Sequence, residues 1–562
     1  MTSSQKTGAQ ILIQSLIESG VDHIFGFPGG AVIPIYDVLY EASLKHILTR
    51  HEQGAAHAAD GYSRATGRVG VCLATSGPGA TNLVTGLSTA YMDSVPMVAI
   101  TGQVPVSMIG NDSFQEADIY GITIPVTKYN YLVKDVNDLQ RIIKEAFYIA
   151  SSGRPGPVLI DIPKDVQQAK TRIKKIGPVK LPGYHSPSQG HPRQIHAILQ
   201  AIKDARRPII YAGGGVVSSG ASDELRKFVQ KTQIPVTTSL MGKGVIPETD
   251  DLALGMLGMH GTKYANYAIY ESDLIISMGV RFDDRVVGNV QKFAPFAKII
   301  HMDIDPAEIG KRIAVDIPIV GDLKNILYML NQKVQEQSRK KWLQTVMRMK
   351  KENPLTFGDD GKLKPQLIIR TLSEMTKGDI IITTDVGQHQ MWVALYYPTT
   401  EPRRFITSGG AGTMGYGFPA AIGATVGRTD IPVVNITGDG SFQMCIQELA
   451  TARMYNLPVK IFILNNGYLG MVRQWQEMFY ERRYSYTNLE FNPDFCKVAE
   501  GYEIPAIRVT ESEAVKSAID RALNMDGPVL VDFYIDKEEN VVPMIPPGGG
   551  QTDFIQEGEA GC

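Results

Sequence analysis

Short, unbroken apolar runs recur along the chain and alternate with longer stretches of helical period. Examples are VGVCLATSG, PMVAITG, PIIYAGGG, DLIISMG, AKIIHMDID, DIIITTDVG, IPVVNITGDG and VKIFILNN. Runs without polar alternation suit strands buried on both faces, as in parallel sheets covered by helices. Most of them end in Gly, Asp, Asn or Ser. Turn chemistry alone can place those residues there. Open parallel sheets, however, bind ligands just outside the carboxyl ends of their strands, so the chemistry is sought at these endings.

The pattern falls into three α/β segments, which predicts three doubly wound parallel-sheet domains. The expected boundaries are 1–170 for the first domain, 193–335 for the second and 366–540 for the third. Residues 171–192, rich in Lys, Pro, Gly and Ser without apolar periodicity, read as a linker. Residues 336–365 include the charged run around QSRKKW and then ENPLTFGDDGKLKP, a solvated helix followed by an extended connection. The tail 541–562 cannot hold regular structure at its Pro-Pro-Gly-Gly-Gly.

Composition narrows the class. Lys+Arg 56 against Asp+Glu 58 leaves a formal charge of −2, with no bulk attraction to nucleic acid. The Lys-Lys pairs at 174–175 and 340–341 read as solvated surface. Cys72, Cys445, Cys496 and Cys562 form no Cys-x-x-Cys pair, which argues against a zinc or iron–sulfur site and suits a reducing compartment. No signal peptide opens the sequence, and no run reaches the roughly eighteen apolar residues that span a bilayer. A cytoplasmic protein without a membrane or nucleic-acid partner is expected.

The sharpest motif is Gly438-Asp439-Gly440, with Asn466 following Asp439 by 27 residues. Each anchor ends an apolar run, and the intervening SFQMCIQELATARMYNL has helical spacing. A right-handed strand–helix–strand crossover sets both side chains at one edge of adjacent parallel strands. They then offer two hard oxygen ligands of the kind Mg²⁺ takes, its octahedron completed by phosphate, water and carbonyl oxygens. Upstream, Asp385-Val386-Gly387-Gln388-His389 follows another run, and donors at such a strand-to-helix turn suit an anion.

This Gly-Asp-Gly … Asn-Asn pattern resembles that of thiamine-diphosphate enzymes. The resemblance extends through FGFPGGAVIPIYDVL (25–39), RHEQGAAHAADGYSRATG (50–67) and ATSGPGATNLVTGLSTAYMDSVPMVAITGQ (74–103), and covers nearly the whole chain. It implies Mg²⁺ on Asp439, Asn466 and the carbonyl of Tyr468. It implies diphosphate contacts from Val386, Gly387, Gln388, His389, Gly438, Gly440 and Ser441, and an apolar prop under the cofactor at Met414. A methionine there would otherwise read as core. Glu52, opening a helix, would by itself read as a residue favoured by the helix dipole; the resemblance makes it the carboxylate that activates the cofactor. The family builds its sites between subunits, so a homodimer or homotetramer is expected.

The discriminating residues point to one branch. No His-His pair, the proton source of aldehyde-releasing decarboxylases, occurs among the ten histidines. The region reads instead Asp112-Ser113-Phe114-Gln115-Glu116, and Gly279-Val280-Arg281-Phe282-Asp283-Asp284-Arg285 carries a string distinctive of acetohydroxyacid (acetolactate) synthases. The chain is similar to their large catalytic subunits of biosynthetic bacterial type. That resemblance assigns Arg285 to the carboxylate of a second 2-ketoacid, an ion arginine holds bidentately. It places Trp475 in the acceptor pocket with Met471, Gly30, Phe114 and Gln115 nearby.

The segment PIIYAGGGVVSSG has Gly213, Gly214 and Gly215, but Ser218 replaces the third glycine of a dinucleotide fingerprint. With Arg154, Met259, His260, Arg281, Asp303 and Asp322 it resembles the FAD-binding middle domain of that family. The expected reaction is decarboxylation of pyruvate and transfer of the hydroxyethyl carbanion to pyruvate or 2-ketobutyrate. The products, 2-acetolactate or 2-aceto-2-hydroxybutyrate, lead to valine, leucine and isoleucine. A small regulatory subunit is expected as partner. A flavin-linked pyruvate oxidase and a non-catalytic paralogue remain as alternatives.

Overall fold

The computed structural model describes residues 5–173, 176–358, 360–489 and 491–555. The Lys174-Lys175 pair and the end of the tail, with Cys562, lie outside the described residues. Three six-stranded sheets, each parallel throughout, carry the chain. All eight apolar runs named above contribute strands, and helices cover both faces, as the patterning predicts.

With strands numbered by chain order within each sheet, the first and third sheets share one topology, 2-1-3-4-6-5. The middle sheet runs 3-2-1-4-5-6, the order of dinucleotide-binding folds. Each sheet reverses direction next to its first strand, and the loops there part to leave a crevice. In the third sheet the reversal lies between Ile381–Thr384 and Val433–Gly438. In the middle sheet it lies between Pro208–Ala212 and Leu274–Met278.

The first and third domains pack through the helices Glu52–Thr66 and Gly417–Gly427, whose small residues bring the backbones together. A Cβ at Gly61 would stand 2.1 Å from the carbonyl oxygen of Ala420, and one at Gly423 1.8 Å from that of Ala58.

Two expectations need correction. The helix Lys340–Glu352 is not simply solvated: Trp342, Val346 and Met349 are buried on the middle domain, and Trp342 Nε1 donates to the Pro208 carbonyl at 2.9 Å. Its exposed lysines hid an amphipathic stripe. The segment between Asp439 and Asn466 is not one helix. It breaks at Cys445 (φ −138°) into Asp439–Gln443, a 3-10 turn Ile446–Glu448 and Leu449–Met454. The break turns the Glu448 carboxylate onto the first domain.

The tail has no helix at Pro546-Pro547-Gly548-Gly549-Gly550, as expected, yet it is well packed. Val541 and Met544 are fully buried, and Ile545 N donates to the Met259 carbonyl at 2.9 Å.

Candidate active site

The strand end at Thr384 leads into Asp385, whose buried carboxylate accepts from Gly415 N (2.7 Å), Tyr416 N (3.0 Å) and the Thr437 hydroxyl (3.1 Å). Burial pushes its pKa up to about 6 despite these donors. Asp385 thus ties the glycine-rich loop to the crevice. Gly387 follows with φ 153°, and a Cβ there would meet the His389 ring at 2.8 Å. His389 is buried, its pKa pushed down to about 3, so it stands as neutral imidazole with Nε2 unpartnered.

Asp439 and Asn466 emerge from hydrogen-bonded neighbouring strands, Gly438 lying opposite Leu464. The spacing argument thus holds although the crossover is irregular. Asp439 is buried, its pKa raised to about 6 by desolvation, and its Oδ2 accepts from Asn492 Nδ2 at 2.6 Å. Asn466 Oδ1 accepts from Tyr468 N at 3.1 Å. A carboxylate, an amide oxygen and a main-chain carbonyl make a donor set suited to Mg²⁺ rather than to softer ions. Ser441 Oγ donates to the Val386 carbonyl (3.3 Å), and a Cβ at Gly440 would lie 3.9 Å from Met414 Cε.

Gln388 departs from expectation. Its Nε2 donates to Gln474 Oε1 (2.9 Å) and to the Glu539 carbonyl (3.0 Å), while its Oε1 accepts from Asn466 Nδ2 at 3.2 Å. Both its donors point into the protein, so it is not a side-chain donor to an anion.

Val386, Gly387 and Met414 open onto a cavity of about 2180 Å³ where the three domains meet, the first contributing Met92, Asp93 and Arg154; Asp439, Asn466 and His389 do not line it. Ligand sites usually enclose ~300–1,000 Å³, so this one has room for more than one ligand. Met471 and Trp475 line it from the helix Gly470–Phe479, and Met259, His260, Arg281, Arg285, Arg154, Asp303, Gly214 and Gly215 line it from the other side. The Arg285 guanidinium carbon sits 5.7 Å from the Trp475 ring centroid, while its partner Asp284 is 3.9 Å away. At 62% side-chain exposure Arg285 is not consumed by that ion pair.

The dinucleotide signal works differently from a phosphate cradle. A Cβ at Gly213 would stand 2.3 Å from the Gly279 carbonyl oxygen and one at Gly215 2.6 Å from Gly279 Cα. These two glycines let strand-end loops touch, and Gly214 faces the cavity. His260 is half-buried, desolvation pushing its pKa down to about 4, with a shielded Nδ1 that has no partner. Arg281 donates to the Met92 carbonyl (2.9 Å), and Arg154 binds Glu308 (2.7 Å) and Asp305 (3.2 Å). Burial raises the pKa of Asp303 to about 6. Asp322 does not line this cavity; it caps a helix by accepting from Asn325 N at 3.0 Å. A strand-end aspartate and a helix cap look alike in sequence.

Glu52, Gly30, Phe114 and Gln115 also do not line this cavity. Glu52 opens its helix behind the cap His51 and accepts from Asn82 Nδ2 at 3.0 Å. Phe114 is 88% exposed on the first domain. Sequence reading missed Asn492, Gln474 and Glu448. The last reaches across domains to the turn before the Glu52 helix, accepting from Arg50 N at 3.0 Å. Only tertiary contact reveals these, since Asn, Gln and Glu in a helix or loop carry no distinguishing pattern.

Three thiamine pyrophosphate enzyme models match the chain: the N-terminal TPP binding domain over 6–122, the central domain over 195–330 and the C-terminal TPP binding domain over 385–533. The chain is 51% identical to a probable acetolactate synthase large subunit of Methanocaldococcus jannaschii, over 98% of this chain and 95% of that one. It is 51% identical to an acetolactate synthase of Arthrospira platensis, over 98% and 97%. With a chloroplastic acetolactate synthase of Zea mays it shares 49% identity, over 99% and 89%.

Proposed function

The chain belongs to the acetolactate synthase large subunits, within the thiamine pyrophosphate enzymes, and on that premise we propose how its residues divide the work. The overall reaction joins two 2-ketoacids with loss of CO₂, taking pyruvate as donor and pyruvate or 2-ketobutyrate as acceptor, in branched-chain amino acid biosynthesis.

Asp439, Asn466 and the Tyr468 carbonyl would hold Mg²⁺, which would supply positive charge for the diphosphate. Val386 and Gly387 would offer backbone donors, and His389, whose buried Nε2 has no partner, would be a further contact. When bound, thiamine diphosphate supplies the nucleophilic carbon and the electron sink. Glu52 holds a proton at the aminopyrimidine ring. Met414 supports the cofactor from below. Arg285 binds the carboxylate of the acceptor, stacked on Trp475, whose bulk favours the larger side chain by ~1–3 kcal/mol. FAD occupies the middle-domain side, where the dinucleotide strand order, neutral His260 and the paired Arg154 fit it.

The observation that carries this reading is the single cavity in which Met414 and the 386–387 loop face Arg285 and Trp475. Glu52 does not line it, and neither do Asp439 and Asn466; a site completed by a second copy belongs to the same reading. Exposed Ile33, Phe114, Ile122 and Ile124 on the first domain offer apolar surface for that copy. A small regulatory subunit is a further partner, and no helix among the described residues is long and apolar enough to cross a membrane.

The purified chain, given pyruvate, thiamine diphosphate, Mg²⁺ and FAD, is expected to form acetolactate while the flavin stays oxidised. Flavin bleaching in step with pyruvate consumption, with acetate as product, would overturn the assignment of Arg285 and Trp475.

A further inference from the structure

A chain of three buried side-chain amides runs from the proposed metal ligand to the C-terminal segment. Asn466 Nδ2 donates to Gln388 Oε1 (3.2 Å), and Gln388 Nε2 donates to Gln474 Oε1 (2.9 Å). Gln474 is fully buried, and Asn466 and Gln388 nearly so. A Cβ at position 470 would stand 2.1 Å from Gln388 Oε1, so Gly470 makes the close approach possible.

The chain has a direction, and main-chain groups set it. An amide side chain can turn over, exchanging its NH₂ for its oxygen. A main-chain carbonyl only accepts and a main-chain N–H only donates. The Glu539 carbonyl, 3.0 Å from Gln388, therefore requires the Gln388 NH₂ there. Val541 does the same for Gln474: its N–H donates to Oε1 at 2.8 Å and its carbonyl accepts from Nε2 at 3.1 Å. With Gln474 offering oxygen, Gln388 offers NH₂ to it and oxygen to Asn466. Asn466 must then give its NH₂ to Gln388; its oxygen, which also accepts from Tyr468 N at 3.1 Å, keeps its second lone pair for the site. That orientation matters, because a hard cation binds the amide oxygen and not the NH₂.

We propose that Gln474 is a positioning residue for the metal centre: through Gln388, and oriented by the backbone of Val541, it holds the Asn466 amide with its oxygen toward the cation. This rests on the reading of Asp439 and Asn466 as the Mg²⁺ site. Gln474, like Gln388, Asn466 and Asp439, does not line the cavity. Partners that orient a metal ligand typically govern ~10–100-fold in metal affinity.

The test is Mg²⁺-dependent binding of thiamine diphosphate to the apoprotein, followed by titration calorimetry over a Mg²⁺ series. Gln474→Met keeps the volume and removes the amide; its Mg²⁺ half-saturation is expected to rise ~10–100-fold, with thiamine diphosphate affinity at saturating Mg²⁺ close to wild type. Gln474→Glu keeps an acceptor for Gln388 and for the Val541 N–H but gives up the N–H for the Val541 carbonyl, so its half-saturation is expected to lie between wild type and Gln474→Met. An unchanged half-saturation in Gln474→Met overturns the proposal, and so does an equal rise in both variants, which would make the effect one of packing. Should Gln474→Met not fold, Gln388→Met decides: it removes the acceptor for Asn466 Nδ2, and a wild-type half-saturation there overturns the proposal. Absence of any Mg²⁺ dependence in the wild-type protein would instead overturn the metal-site reading, and the proposal with it.

Discussion

Glu52 is buried against Asn82 in a first domain whose neighbouring Gly30, Phe114 and Gln115 are exposed. A glutamine in its place keeps the size and the hydrogen bond but cannot hold the proton. Glu52→Gln is expected to lower kcat by ~10²–10⁴-fold, the usual contribution of a positioned acid–base group, while the apoprotein unfolds at the same temperature. Near-normal turnover by steady-state assay would remove Glu52 from the mechanism. At this scale the residues differ in how plainly they declare themselves. Asp439 and Asn466 announce their role by spacing, whereas Gln388 looked like an anion ligand until its two donors were found turned inward.

Among elements, the pairing of Glu52–Thr66 with Gly417–Gly427 carries the junction of first and third domains. Gly423→Ala would force a methyl into the 1.8 Å gap before the Ala58 carbonyl. Overpacking of this kind costs about 1–3 kcal/mol, and the urea midpoint is expected to fall accordingly; an unchanged midpoint would mean that the helices can part freely. Glu448, presented by the broken crossover, adds a pH dependence. Burial raises its pKa from 4.5 to about 7. Below 4.5 the carboxyl is protonated in both folded and unfolded chains; between there and 7 the unfolded chain releases the proton and the folded one keeps it. The contribution of the protonated form is therefore present at low pH and lost as pH rises through that window. Measured as urea midpoints, wild type is expected to lose stability relative to Glu448→Gln from pH 4.5 to 7 and to run parallel above it. A wild type that gains stability relative to Glu448→Gln between pH 4.5 and 7 would reverse the sign and the assignment.

For the whole molecule, a site shared between two copies would have a direct consequence. If each site takes Glu52 from one copy and Asp439 from another, Glu52→Gln and Asp439→Ala chains are each inactive alone but complement when mixed. Random pairing in a two-fold dimer makes half the dimers mixed, each with one intact site, so about a quarter of wild-type activity is expected after co-expression. No recovery in mixed dimers purified by two tags would place the whole site within one chain.

The amino-acid sequence by itself determined the three α/β units, the parallel sheets and the strand endings that carry chemistry. Unbroken apolar runs bury both faces of a strand, and a β–α–β spacing can deliver Asp439 and Asn466 to only one edge. It also made the family legible, through the RFDDR string and the glycine-rich loops. Tertiary structure alone decided that Asp322 is a helix cap, that Gly213 and Gly215 admit Gly279, that Lys340–Glu352 packs through Trp342, and that Gln388 faces Gln474. Each depends on which group from a distant segment arrives at the side chain, and a local pattern of residues holds no information about that arrival. The same holds for Arg285 over Trp475: a loop of one domain and a helix of another meet only because the sheets, the glycine contacts and the Met544 tail set the two domains against each other.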